Sequence, residues 1–259
     1  MTGHNAPERK DRFMENATYI ALSRLDAQQR AMSVVANNIA NASTAGYKGQ
    51  HVLFSDYLSR QDGDNVTTGG ETQAYTQDLA TFRDLAQGQL QQTGNPLDLA
   101  IGGEGYFTVQ TPNGTRLTRS GRFERLTDGT VTDEAANPLL DRDGQPIRLP
   151  AADHDVTVSA DGTITTESGI AGQIGIVMPQ DSNRMTSEGG KLLLAEGPTR
   201  PADNPKLMQG MIEGSNVQIM SEMTHMMQIQ RDFQFVSQFV SSEATRQQDA
   251  IAKIVQVQS

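Results

Sequence analysis

The chain has 259 residues, 36% of them hydrophobic and 5% aromatic, with 24 glycines, no tryptophan and no cysteine. That is long enough to bury a sizeable core but short of the large side chains one dense globule would need, so separate modules with thin cores are expected. A formal charge of −10 with no run of Lys or Arg beyond two removes the counterion-release drive for nucleic acid, and the missing cysteines exclude disulfides and thiolate metal sites.

Residues 1–13 (MTGHNAPERKDRF) are polar and lack an apolar h-region, so they are read as a disordered extension rather than a cleaved secretory signal. No window approaches the roughly 20 apolar residues that a membrane-spanning helix needs, so an integral membrane protein is not expected.

From Met14 to Ala42 the apolar positions Ala21, Leu25, Met32, Val35, Ile39 and Ala42 recur at sums of three and four, one stripe of an α-helix about 40 Å long. Asn37, Asn38 and Asn41 project about opposite that stripe, and no charged side chain stands between Arg30 and Lys48. Asparagine suits helix C-termini and the left-handed conformation, with Gly46 ending the helix or making the turn. A solvated back face, however, normally carries Glu and Lys at i, i+4 spacing. Both faces are therefore expected to meet protein, the carboxamide face through hydrogen bonds.

Residues 47–92 are weakly patterned and read as an extended connector, with RQDGDNVTTGGET as a flexible loop. From 93 to 200 come short alternating runs, YFTVQT, TRLTRS, DVTVSA, TITTE and IGIVMP, separated by Asn-Gly, Asp-Gly and Gly-Gln turn signals. These predict an all-β domain. The proline-bearing stretch 201–209 reads as the return connector.

Residues 210–259 predict a second long helix. Ser215 and Gln218 have capping-box spacing. Ile219, Met226, Phe233, Val240 and Ile254 share one heptad position and Met223, Ala244 and Ile251 the other, although Gln230, Ser237 and Gln247 interrupt it. About 40 helical residues make a rod near 60 Å long, which cannot fold back into a small core. Phe235 and Phe239 point away from the seam and Met220 and Met227 flank it. Leaving them in water would forgo several kcal/mol at about 25 cal/mol per Å², so other copies of the chain are expected to cover them. The fold class is α+β: long N- and C-terminal helices (14–46 and 210–259) pairing as a coiled-coil-like module, with an inserted all-β domain.

Residues that would carry chemistry are sparse. His4, His51, His154 and His225 lie far apart, without a second His or Glu at metal-ligand spacing. Asp141–Gln145 (DRDGQ) begins like a calcium loop, but Ala152 stands where the twelfth-position Glu belongs, so it reads as a turn. The glycines of Ile101–Phe107 (IGGEGYF) precede a strand instead of opening a helix, so they suit positive φ in a tight turn better than a phosphate cradle. No Gly-x-Ser-x-Gly elbow or carboxylate pair in an apolar setting occurs, and no enzyme activity, cofactor or small-molecule substrate is expected.

Three stretches, NNIANASTAGYKG, TGNPLDLAIGGEGYFTVQTPNGTRLTRSGRF and IEGSNVQIMSEMTHMMQIQRDF, resemble the three signature regions of bacterial flagellar rod and hook proteins, in order. Ala45 and Tyr47 depart from that pattern, which usually has Pro or Asn and Phe there. The opening MENATYIALSR and the length look most like the proximal-rod branch. The resemblance implies a torque-transmitting structural subunit of the periplasmic rod, exported unfolded by the flagellar type III apparatus without a cleaved signal. Its partners would be other copies and related rod proteins. Leu25, Met32, Val35 and Ile39, with Met223, Met226, Phe233, Val240 and Ile251, are the expected assembly residues, and Asn37, Asn38 and Asn41 would set lateral register. Rival readings are a distal-rod or hook-type axial protein, a peptidoglycan hydrolase using Glu104 or Asp161, and a surface adhesin or phage-tail-like tube protein.

Overall fold

The computed structural model describes the backbone of residues 8–60, 72–182 and 184–257, and the side chains of 19–53, 81–182, 184–250 and 252–253. In chain order the elements are α1 (Glu8–Ala40), β1 (Gln50–Arg60), β2 (Thr72–Arg83), β3 (Leu90–Gln92), β4 (Leu99–Ile101), β5 (Tyr106–Thr111), β6 (Gly114–Thr118), β7 (Phe123–Arg125), β8 (Val131–Asp133) and β9 (Val156–Val158). There follow β10 (Thr163–Thr166), β11 (Gly169–Gln173), β12 (Ile176–Pro179), β13 (Met185–Glu188), β14 (Leu192–Ala195), β15 (Thr199–Pro201), β16 (Leu207–Gln209), β17 (Met211–Glu213) and α2 (Ile219–Val257). The α+β class expected from the sequence is the class found. The chain divides into two compact units: one of residues 1–37, 50–82 and 220–259, the other of 38–49 and 83–219.

The first unit holds most of α1, the paired strands β1 and β2, and α2. The stretch 47–92, expected as a connector, thus contains two long strands, while residues 61–71, most of the expected flexible loop, lie outside the described residues. Helix α1 begins at Glu8 instead of Met14, so residues 8–13 continue it; residues 1–7 of the expected disordered extension lie outside the described residues. Its buried line is Ala21, Ala27, Ala31 and Val35, with Leu25, Met32 and Ile39 half-buried. The alanines make this a narrow seam rather than a broad apolar face.

Helix α2 buries Glu222, Ile229, Val236 and Glu243 at seven-residue spacing. Met226, Phe233, Val240 and Gln247 lie half-buried on the complementary heptad position. Of the first expected heptad line, Met226, Phe233 and Val240 are thus half-buried, Ile219 is 43% exposed, and the side chain of Ile254 lies outside the described residues. The other is displaced by one residue: Met223 is 47% exposed and Ala244 is exposed, while the side chain of Ile251 lies outside the described residues. The reason is that the true second line begins and ends in glutamate, which a search for apolar periodicity passes over; Arg246 holds Glu243 at 2.6 Å. Phe235 and Phe239 are exposed, off the seam, as expected.

In the second unit a six-stranded antiparallel sheet, order β13-β14-β6-β5-β12-β15, packs with a three-stranded one, β11-β10-β9, and with the pairs β16-β4, β17-β3 and β7-β8. Alternation along β5 sends Phe107 and Val109 into the main core beside Leu139, Ile147 and Ile174, where Phe107 meets Phe123 edge-on at 5.2 Å. Tyr106, on the opposite face, joins a second cluster with Leu117, Met185 and Leu193. The sheet is thus covered on both sides at β5. Asp141 is a turn residue, its Oδ1 accepting from the amides of Asp143 and Gln145 at 2.9 and 2.7 Å.

Candidate functional site

The most densely bonded polar group lies in the second unit, where the segment leaving α1 meets the strand leading to α2. Glu213, the last residue of β17, is 1% exposed. Its Oε1 accepts from Lys48 Nζ at 2.5 Å and from the Gly88 amide at 3.0 Å, and its Oε2 accepts from Arg119 Nε at 2.8 Å. Lys48 and Arg119 are themselves buried, and Lys48 also donates to the Ala86 carbonyl at 2.7 Å. One carboxylate therefore joins three segments distant in sequence.

The glycine loop between β4 and β5 holds the other end of Arg119. The guanidinium donates to the carbonyls of Gly105 and Gly103, the latter at 2.5 Å, and of Ile101 at 3.3 Å, and it lies 5.9 Å from the centre of the Tyr106 ring. Gly103 and Gly105 have φ of +107° and +128°, which is what turns their carbonyls toward the cation. The loop cradles a cation and not a phosphate. Burial pulls the Lys48 ammonium below its usual pKa despite the opposing pull of Glu213, and burial lifts the Tyr106 phenol above its own against the field of Arg119.

Asn216 fastens the same junction from outside the ion cluster. Its Oδ1 accepts from the Gly49 amide at 2.8 Å, and its Nδ2 donates to the carbonyls of Asp84 and Ala86 at 3.0 and 3.1 Å. The Gly46 amide donates to the Glu213 carbonyl at 2.8 Å. At Gly46, with φ of +71°, an added Cβ would sit 2.3 Å from the Arg119 carbonyl carbon, so only glycine fits. The expected capping box does not form: α2 starts at Ile219, and the Ser215 hydroxyl accepts instead from the Val217 amide at 3.2 Å, a local turn that leaves Asn216 free to bridge.

The three asparagines do not share one outward face. Asn38 is 1% exposed and its Oδ1 accepts from the Tyr47 hydroxyl at 3.2 Å, so the tyrosine that departs from the usual phenylalanine gains a bond inside the subunit. Asn41 is half-buried, with Thr44 donating to its Oδ1 at 3.3 Å and Gly190 of the β13–β14 turn close to its carboxamide. Asn37 is exposed. The physical reason is that the chain turns back once α1 ends at Ala40, which brings Tyr47 onto Asn38 in the last helical turn and takes Asn41 out of the helix.

Sequence reasoning missed Lys48, Arg119, Glu213 and Asn216. A signal existed for two of them. Lys48 is the first charge after seventeen uncharged positions, and Glu213 stands alone between Ile212 and Gly214. Arg119, one of three arginines in Arg116–Arg122, carries no such mark. Asp161, a rival catalytic candidate, spends its carboxylate on the Thr163 amide and hydroxyl at 3.1 and 2.9 Å, and Glu104 is exposed. Among the described residues no cluster of His, Asp or Glu could hold a metal ion, and no helix is long and apolar enough to cross a membrane.

The chain thus has a long helix near each terminus, a β-rich unit, and in that unit one buried carboxylate joining the segment after α1 to the strand before α2. Three family models match it in order: the flagella basal body rod protein over residues 19–48, the flagellar hook protein FlgE/F/G D1 domain over 100–166, and the flagellar basal body rod FlgEFG protein C-terminal region over 208–253. Each match contains one member of the ion cluster: Lys48, Arg119 and Glu213 respectively. The chain is 33% identical to the flagellar basal-body rod protein FlgF of Caulobacter vibrioides, over 93% of this chain and 98% of that protein. It is 30% identical to FlgF of Mesorhizobium japonicum (92% and 97%) and 30% identical to the rod protein FlgG of Bacillus subtilis (88% and 95%). The chain belongs to the flagellar basal-body rod protein family.

Proposed function

We propose that this protein is a structural subunit of the flagellar basal-body rod, of the proximal type, that assembles through its terminal helices and transmits torque without catalysing a reaction. The observation that carries this reading is the near end-to-end similarity to rod proteins, with the family regions falling on both helices and on the β-rich unit. In this reading α1 and α2 pair in a coiled-coil-like manner through the seams that each buries, and residues off those seams, Met223 and Asn37 among them, face neighbours. Met226, Phe233 and Val240, with Leu25, Met32, Val35 and Ile39, hold the pair together. Asn38 and Asn41 act within the subunit, holding the exit of α1. The ionic cluster ties the segment that follows α1 to the strand that precedes α2 within the second unit.

The subunit reaches the periplasm through the flagellar type III apparatus, and its partners are further copies and related rod proteins. The test is a deletion strain of the host. Cells should lose hooks and swimming and regain both with the gene restored, and an image reconstruction of basal bodies should place the chain in the rod below the hook. Hook-bearing, swimming cells without the protein would refute the proposal.

A further inference from the structure

Helix α2 carries two groups of large apolar side chains that its own unit leaves in water. Met220, Met223 and Met227 are 76%, 47% and 50% exposed, and Phe235 and Phe239 are 74% and 45% exposed. The two groups do not form one stripe. At 100° per residue their centres lie about 110° apart around the helix, and at 1.5 Å per residue about 20 Å apart along it; the phenylalanines stand about 90° to one side of the buried line through Glu222, Ile229, Val236 and Glu243, and the methionines about 160° from it the other way.

We infer that these are the two halves of one contact between copies: the methionine flank of one α2 receives the phenylalanine flank of the next copy's α2. This deepens the rod-subunit reading and rests on it. Two arguments select a second copy as the occupant. The first is chemical. Flexible thioethers adapt to ring edges and make favourable sulfur–aromatic contacts, so the two flanks of this one helix complement each other better than either complements itself. The second is area. The phenylalanine flank exposes on the order of 200 Å² of aromatic surface, well short of the roughly 800 Å² per partner of a stable pairwise complex. Such a contact suits repetition along an assembly, where each copy makes it twice, and does not suit an isolated dimer. Copies joined in this way run parallel, and each is displaced from the last by about 20 Å along the helix axis, because Met223 must come level with the space between Phe235 and Phe239. The contact is heterologous, and its axial step of about 20 Å keeps it from closing into a ring, so it propagates.

The chain contains no cysteine, so introduced thiols report only on themselves. The full-length double variant Met223→Cys/Phe239→Cys and both single variants are expressed in a host strain lacking its own copy. The cells are treated with a short-arm bismaleimide, and purified basal bodies are blotted for the chain. The two positions lie about 24 Å apart within one helix, too far for the reagent to join them in one copy. The double variant should give a ladder of dimers, trimers and longer species, and each single variant only monomer. Dimers from either single variant, or monomer alone from a double variant present in basal bodies, would overturn the inference. If the double variant is not incorporated, Thr224→Cys/Ser242→Cys places thiols beside the same flanks with the methionines and phenylalanines intact, and is read by the same outcomes. Absence of the unmodified chain from the basal bodies of swimming cells is a separate result, and it removes the rod reading itself.

Discussion

Replacing Glu213 with glutamine keeps the shape of the side chain and removes its charge. In the native junction one carboxylate, 1% exposed, serves two buried cations at 2.5 and 2.8 Å and one amide at 3.0 Å. A glutamine oxygen can still serve either Lys48 and the Gly88 amide or Arg119. Whichever it serves, its NH₂ group faces the other cation, donor against donor. Removing one member of a buried ion pair costs about 3–5 kcal/mol. Two hydrogen bonds to charged groups, at about 1.5–3 kcal/mol each, lead to the same range. With about 2 kcal/mol per molar urea as the denaturant slope, the unfolding midpoint of this unit should fall by about 2 M. The protein has no tryptophan, so the assay is near-ultraviolet circular dichroism of tyrosine, to which the packed Tyr47 and Tyr106 of this unit contribute. Lys48 gives an internal check, because burial already lowers its pKa and the variant deprives it of the group that raises it. Between that depressed folded-state value and the ordinary 10.5 the unfolded chain binds more protons, so the variant should regain stability as pH rises through this window. Adding Lys48→Met removes one of the stranded cations, and the double variant should be more stable than the sum of the singles by about 1–3 kcal/mol. A midpoint shift under about 0.5 M for Glu213→Gln, or strict additivity with Lys48→Met, would refute the account of the junction as a charge-compensated cluster.

Gly46→Ala should destabilise the same unit by about 2–4 kcal/mol, since strained backbone and forced displacement add, whereas Gly94→Ala, also at positive φ but with open space around it, should cost about 1–2 kcal/mol; urea midpoints compare them. Tyr47→Phe, which removes the hydroxyl donated to Asn38, should cost about 1 kcal/mol in the same measurement. The carboxyls of Asp128 and Asp161 are held below 3.8 first by the amides of Thr130 and Thr163, that of Asp153 below 3.8 first by the Thr166 hydroxyl, and that of Glu188 below 4.5 by Arg116. Depressed acids stabilise the fold above their unfolded values, and that contribution is lost as pH falls through the folded ones, so thermal midpoints should decline as pH falls below 4.5. Thr130→Val together with Thr163→Val should flatten only part of that decline, since it removes the hydroxyls and leaves the amides.

What the sequence disclosed and what it hid divide along physical lines. The β-rich unit was legible because its strands alternate with period two between glycine-bearing turns, and that pattern reports local geometry; YFTVQT became β5 and TITTE β10. The heptad line of Glu222, Ile229, Val236 and Glu243 was displaced by one residue from the expected one because burial there follows packing, and packing tolerates Glu222 and Glu243 where hydropathy does not. The ion cluster could not be found by any periodicity, since Lys48, Arg119 and Glu213 are brought together by the turn after α1 and by the β17–β3 pairing, which are properties of the closed fold. The asparagines show the same limit from the other side. Reading them as an outward face assumed that the back of the helix stays clear of the chain's own body; Asn37 is exposed, but Asn38, in the last turn of α1, is buried against Tyr47, and Asn41 lies beyond the helix end at Ala40.

That stop has a mechanical consequence. If α1 ran on to Gly46 as one rod, Tyr47 would not fold back onto Asn38, and Lys48 and Gly49 would be carried away from Glu213 and Asn216. Ending it at Ala40 lets nine residues, 41–49, fold back and present Lys48 to Glu213 and the Gly49 amide to Asn216, so that the exit of α1 and the entry to α2 are bonded to each other through side chains as well as through the chain. Side-chain bonds across a junction resist twisting where a single backbone crossing turns about its φ and ψ.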